Sequence, residues 1–146
     1  MADPRFYLGM GGSSGVVFDE LLALAEATLT QGGCVRPDAL ATLSVKRAEP
    51  AWARLAAHYG CELRFFEASR LEEETPRLKT PSETVFKAVG CHGVAEAAAL
   101  AAAGPAGSLL VGKVSSARST AALAKVPAVL HRGEVCQRPR LRKGKS

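Results

Sequence analysis

Short apolar runs alternate along this chain with glycine stops and amphipathic stretches, and that alternation restricts its fold more than any other feature. Arg5–Met10 (RFYLGM) has the composition of a strand, and the glycine-rich stretch Gly9–Gly15 is predicted to end it. From about Val16 to Gln31, the residues Val17, Leu21, Leu24, Ala25 and Leu29 recur at helical spacing. Asp19 and Glu20 lie in the first turn, where the helix dipole favours acids, and Gly32-Gly33 stops the run. The series then repeats. Ala41–Val45 suits a second strand, Pro50–Tyr59 a helix stopped by Gly60, Glu62–Phe66 a third strand and Ala68–Glu74 a short helical turn. Such alternation predicts an α/β fold, a single domain with a mixed or mostly parallel sheet flanked by helices.

The second half continues the pattern. In Thr80-Pro81-Ser82-Glu83, Thr80 stands as N-cap, Pro81 at the first helical position and Glu83 three residues after the cap, which is a capping box opening a helix to about Val89. Gly93-Val94-Ala95-Glu96 opens another, with Gly93 as cap, and Gly104-Pro105 closes it. Leu109–Lys113 reads as a strand and Thr120–Lys125 as a further one.

A chain of 146 residues fits one domain. Residues 131–146 carry six Lys or Arg against the single acid Glu134, which equals the whole formal charge of +5. That end is predicted to be a solvated, flexible basic tail; no helix-turn-helix, zinc finger or aromatic RNA-binding motif accompanies it, so no specific nucleic-acid partner is expected. No apolar run approaches the ~20 residues needed to span a bilayer, and the N-terminus lacks the basic start and apolar stretch of a signal peptide. A cytoplasmic protein without a membrane partner is the expectation.

Cys34, Cys61, Cys91 and Cys136 form no CxxC pair, so they are read as packed thiols, with no metal site expected. Cys91-His92 places a thiol beside an imidazole, but adjacency in a loop does not make a nucleophile and its base converge. His58 and His131 suggest no catalytic set either. The glycine cluster fails both nucleotide motifs: no lysine follows Gly15, and Ser14 occupies the third glycine position of GxGxxG. Two readings of it stay open. Backbone N–H groups with the Ser13 and Ser14 hydroxyls can cradle an anion at the helix start, or the glycines only permit a tight turn while the serines cap the helix.

LGMGGSSG after a first strand, SVKRAEPAW after a second, LRFF as a third, then TPSETVFKAVG, GVAEAAALAA and LLVGK stand in an order that resembles the cobalamin biosynthesis family of CobE and the C-terminal domain of CbiG. The resemblance covers Phe6 to Val126, and residues 1–130 are taken as the CobE/CbiG C-terminal-like domain. It implies a role in the aerobic corrin pathway to vitamin B12, binding a precorrin-type tetrapyrrole as an accessory or carrier, with corrinoid intermediates and other corrin-pathway enzymes as partners and no cofactor. The alternative it implies is a precorrin lactone hydrolase like CbiG, which opens a ring lactone and releases acetaldehyde. Here the chain is too short for the N-terminal part of CbiG, and no catalytic residue is readable; Glu49 serves as a general base only if a pocket raises its pKa.

Family members commonly have arginines in a GCRRG-like loop where this chain has Gly11-Gly12-Ser13-Ser14-Gly15. The ligand-binding positions the resemblance implies are Gly9, Gly11, Gly12, Ser13, Ser14 and Gly15 in that region, Lys46 and Glu49 after the second strand, Ser82, Gly93 and Glu96 at two helix starts, and Lys113 and Thr120 on the last strands. Lys46 and Glu49 also suit a solvated ion pair, and Ser82, Gly93 and Glu96 suit helix starts alone.

Overall fold

The computed structural model describes residues 3–128. Its central strand is β1 (Arg5–Gly12), because Leu8 and Met10 can be buried on one side of the pleat while Tyr7 and Gly9 are buried on the other. After α1 (Phe18–Gln31), β2 (Ala39–Leu43) returns parallel to β1, and after α2 (Pro50–Tyr59), β3 (Glu62–Phe66) lies parallel to β2. The chain then crosses the other face through α3 (Ala68–Glu72), α4 (Glu83–Val89) and α5 (Val94–Ala103). It ends in a hairpin of β4 (Ser108–Ser115) and β5 (Ser119–Val126), with β5 antiparallel to both β4 and β1. The result is one mixed five-stranded sheet in the order β3-β2-β1-β5-β4. Among the described residues no single helix is long and apolar enough to cross a membrane.

Two apolar layers sandwich the sheet. On one face, Leu21, Leu24 and Leu29 of α1 and Trp52 and Leu55 of α2 pack on Leu8, Met10, Leu40 and Leu123. On the other, α5 buries eight consecutive residues, Ala95 to Ala102, six of them alanine. Such a row of small side chains lets helix and strand approach closely, and Gly9 completes the fit: a Cβ there would come within 2.1 Å of the Ala95 carbonyl oxygen. Arg77 holds the far end of α5 by donating to the carbonyls of Leu100 and Gly104, both at 3.3 Å, and of Gly107 at 2.8 Å.

Four local expectations change. β1 does not stop at the glycine cluster but runs through Gly9, Gly11 and Gly12, which pair with Ala122, Thr120 and Ser119 of β5. Only Gly15, at φ +75°, supplies a left-handed turn residue in that stretch. α1 begins at Phe18 behind Val17, with no side-chain cap, so Ser13 and Ser14 do not cap it. β2 is Ala39–Leu43, two residues earlier than expected, and it ends before Val45 because Ser44–Ala48 coils into a 3₁₀ turn. The cap of α4 is Ser82, whose Oγ accepts from Val85 N at 3.2 Å, whereas the Thr80 N–H is drawn to Glu96. The expected basic tail lies outside the described residues.

Candidate functional site

Where β1 ends against the turn of the β4–β5 hairpin, a cleft of about 400 Å³ opens toward α4. Gly11 and Gly12 form its floor. A Cβ on Gly11 would lie 3.0 Å from Val94 Cβ and 3.1 Å from Thr120 Oγ1, so glycine keeps the floor low where β1, α5 and β5 converge. One wall is hydroxyl-rich, with Ser13, Ser115, Ser116, Ser119 and Thr120 beside Lys113 and Arg118. The opposite wall is apolar: Val85, Ala88 and Val89 of α4 with Val94 of α5.

The polar wall is tied to α1. Glu20 accepts from the Ser116 hydroxyl and from Arg118 N at 2.7 Å, and Arg118 O accepts from Ser13 N at 2.9 Å. The Ser116 and Ser119 hydroxyls are 2.6 Å apart. The bond from Ser116, helped by the Arg118 N–H, holds the Glu20 carboxyl below the usual carboxylate range, so it is ionised at neutral pH. Its charge fixes the turn that carries Arg118. Among the described residues, neither the Lys113 ammonium nor the Arg118 guanidinium has an acidic partner within 4 Å.

Glu96 is buried at 1 % exposure and joins two sides of the cleft. Its Oε1 accepts from Lys79 N at 2.9 Å and Thr80 N at 3.0 Å, and its Oε2 accepts from Lys113 N at 2.9 Å. Three N–H donors replace the solvation that the carboxylate loses on burial. A residue expected in the first turn of a helix thereby anchors both the approach to α4 and strand β4.

Of the positions singled out in the sequence, the cleft brings together Gly11, Gly12, Ser13, Ser82, Gly93, Glu96, Lys113 and Thr120. Gly9 lies beneath α5, and Ser14 and Gly15 are on the exposed outside of the turn. Lys46 and Glu49 form an ion pair at 3.3 Å away from the cleft lining. Glu49 also accepts from Trp52 Nε1 at 3.2 Å, and the Trp52 ring backs Gly12, 3.4 Å from where its Cβ would be. The pair thus braces the floor from behind. Arg118, Ser115, Ser116 and Ser119 escaped the sequence reading, although SSARST between two strands is the signature of a polar hairpin turn.

Cys91 and His92 do not form a nucleophile and base. Cys91 is fully buried, which pushes its thiol pKa up, while His92 turns both ring nitrogens to carboxylates, Nδ1 to Glu72 at 2.9 Å and Nε2 to Glu83 at 3.0 Å. Among the described residues no group of three or more His, Cys, Asp or Glu side chains is placed to hold a metal ion.

Residues 6–124 match the family described as cobalamin synthesis G C-terminus. The chain belongs to this family. It is 44 % identical over 119 residues to protein CobE of a Sinorhizobium species, covering 80 % of this chain and 77 % of that one. It is 32 % identical over 122 residues to the cobalt-precorrin-5A hydrolase of Priestia megaterium, covering 82 % of this chain but 32 % of the hydrolase. The crystal structure of CobE, a protein from the cobalamin (vitamin B12) biosynthetic pathway, superposes with a TM-score of 0.78 at 35 % identity, over 85 % of this chain and 92 % of that one. As a CobE/CbiG C-terminal domain, the chain is a cobalamin biosynthesis protein, and the mixed sheet with flanking helices is the fold of its family.

Proposed function

We propose that this chain binds a precorrin-type tetrapyrrole in the cleft and serves the aerobic corrin pathway as an accessory or carrier in the cytoplasm. The carrying observation is the cleft's division into an apolar wall and a hydroxyl-rich wall bearing two cations that have no acidic partner among the described residues. A precorrin is an apolar ring edged with acetate and propionate carboxylates, so it needs an apolar surface for the ring and separated donors for the arms. Lys113 and Arg118 supply the charge that the usual arginines of the first loop would bring, with Ser13 and Thr120 as hydroxyl donors. A cleft of about 400 Å³ takes one edge of such a macrocycle and leaves the rest for another enzyme of the pathway to grasp. That division suits delivery.

Lactone hydrolysis has less support. The chain corresponds to about a third of the hydrolase it resembles, and Glu49, the residue considered as a general base for that reading, lies outside the cleft. Incubation with a lactone-bearing precorrin is expected to release no acetaldehyde. Binding is tested by titrating the protein with precorrin-type tetrapyrroles and following their absorbance. The parent is expected to bind, and Lys113→Ala and Arg118→Ala each to weaken binding roughly tenfold, the loss of one charge-assisted contact. A parent that binds no tetrapyrrole, or variants that bind as tightly as the parent, would overturn the assignment.

A further inference from the structure

The segment from Thr80 to His92 is pinned at both ends, and no residue from 81 to 90 is buried. At one end Thr80 N donates to buried Glu96, and at the other Cys91 is itself fully buried. Between them α4 has no buried residue, although its Val85, Ala88 and Val89 face the cleft. Seven residues are also too few for a helix to hold itself together in water, where about 12–15 are needed.

What holds α4 converges on one residue. Ser82 N donates to His92 O at 2.7 Å, Glu83 Oε2 lies 3.0 Å from His92 Nε2, and the Phe86 ring stacks on the imidazole at 4.4 Å between centroids and 16° between planes. His92 is bound in turn to the body of the protein by Glu72, which accepts its backbone N–H at 3.0 Å and meets Nδ1 at 2.9 Å. A neutral imidazole carries one ring N–H, and an ionised carboxylate only accepts. With carboxylates on both ring nitrogens, only the imidazolium makes both bonds.

We propose that His92 is the pH-dependent latch of a lid: as imidazolium it ties α4, through Glu83, to Glu72 of α3 beside the cleft, and on losing a proton it gives up the bond to Glu83 and loosens α4, which keeps the Ser82 N–H bond and the Phe86 stacking. That the lid covers a ligand rests on the binding reading above; the latch itself needs no ligand. The charges facing His92 are Glu72 from α3 and Glu83 from α4, and its chain neighbour Cys91 carries a thiol kept neutral by burial. The bond to Glu72 raises the His92 pKa above its ordinary value, burial opposes the rise, and Glu83 adds to it. The Glu72 carboxyl is lowered, chiefly by the same bond. The latch is therefore full below the ordinary histidine pKa of about 6.5 and lost as pH rises through the raised value. At the acid end it is lost again as pH falls through the lowered value of Glu72. A carrier so built holds its cargo between those two values and lets it go more readily above the raised His92 value.

Amide hydrogen exchange on the ligand-free protein, corrected for intrinsic exchange and run from about pH 5.5 to 8.5, reads the latch directly. Protection over 83–89 is expected to fall roughly three- to tenfold across the His92 titration while α5 stays unchanged. In His92→Gln, α4 should sit at the low, open level at every pH. Should that variant not fold, Glu83→Gln at an exposed position gives the same decision, with the pH step lost or strongly reduced. Protection of α4 that does not change with pH in the parent, or a step that persists in either variant, overturns the latch. Failure of tetrapyrrole to bind would instead strike the reading of the cleft and leave the exchange result standing.

Discussion

Gly9 and Gly15 lie six positions apart in one stretch and answer to different constraints. At Gly9 any Cβ would strike backbone, 2.1 Å from Ala95 O and 2.4 Å from Ala99 N, so α5 would have to withdraw from β1. Gly15 has open space around it and needs glycine only for φ +75°. Gly9→Ala is therefore expected to cost about 3 kcal/mol or more by overpacking, and Gly15→Ala about 1 kcal/mol, both measurable by urea unfolding. Equal losses would contradict the close approach. Glu96 yields a third expectation. Glu96→Gln keeps the shape but turns an amide N–H₂ toward at least one of the N–H groups of Lys79, Thr80 or Lys113, and should cost about 1–3 kcal/mol in the same assay. At this scale the sequence singled out eight of the 21 residues that line the cleft, Gly11, Ser13, Lys113 and Thr120 among them, because small and cationic residues near strand ends are visible in one dimension. The role of Glu96 was not legible: its three donors come from residues 16 and 17 positions away.

Helices packed on the sheet and the helix that is not behave as different kinds of element. α1, α2 and α5 bury faces that the sequence displays as helical spacing or as an alanine-rich run, and α2 and β3 fall where local signals place them. α4 has the same apolar residues with nothing of the core beneath them. Val85→Ser combined with Val89→Ser is thus expected to leave the melting temperature within a few degrees of the parent, since no buried core is lost, while weakening tetrapyrrole binding. A large drop in melting temperature would show that α4 is part of the core. Misplaced boundaries have a common origin. The glycine cluster looks like a stop, yet β5 supplies hydrogen-bond partners that carry β1 on to Gly12, and Glu96 draws Thr80 away from capping α4.

Taken whole, the molecule closes its two apolar layers within the described residues, with β1 and β5 at the centre of the sheet. A chain ending at residue 128 is accordingly expected to unfold cooperatively, with a melting temperature within a few degrees of the full chain; loss of cooperative unfolding would place part of the core beyond that point. The sequence by itself determined the order of the elements, the α/β class and the family, because spacing, caps and glycine stops act over a few residues and the family's motifs are local strings. It left the sheet open between mixed and mostly parallel. Only tertiary structure inserted β5 between β1 and β4, since the pairing of Gly11 with Thr120 depends on burying both faces of the sheet at once, and periodicity within either strand carries no trace of its partner. That insertion brings Lys113, Arg118 and the serines of the hairpin against the glycine floor. The cleft is a product of long-range strand pairing, so some of its residues were visible in the sequence while their meeting was not.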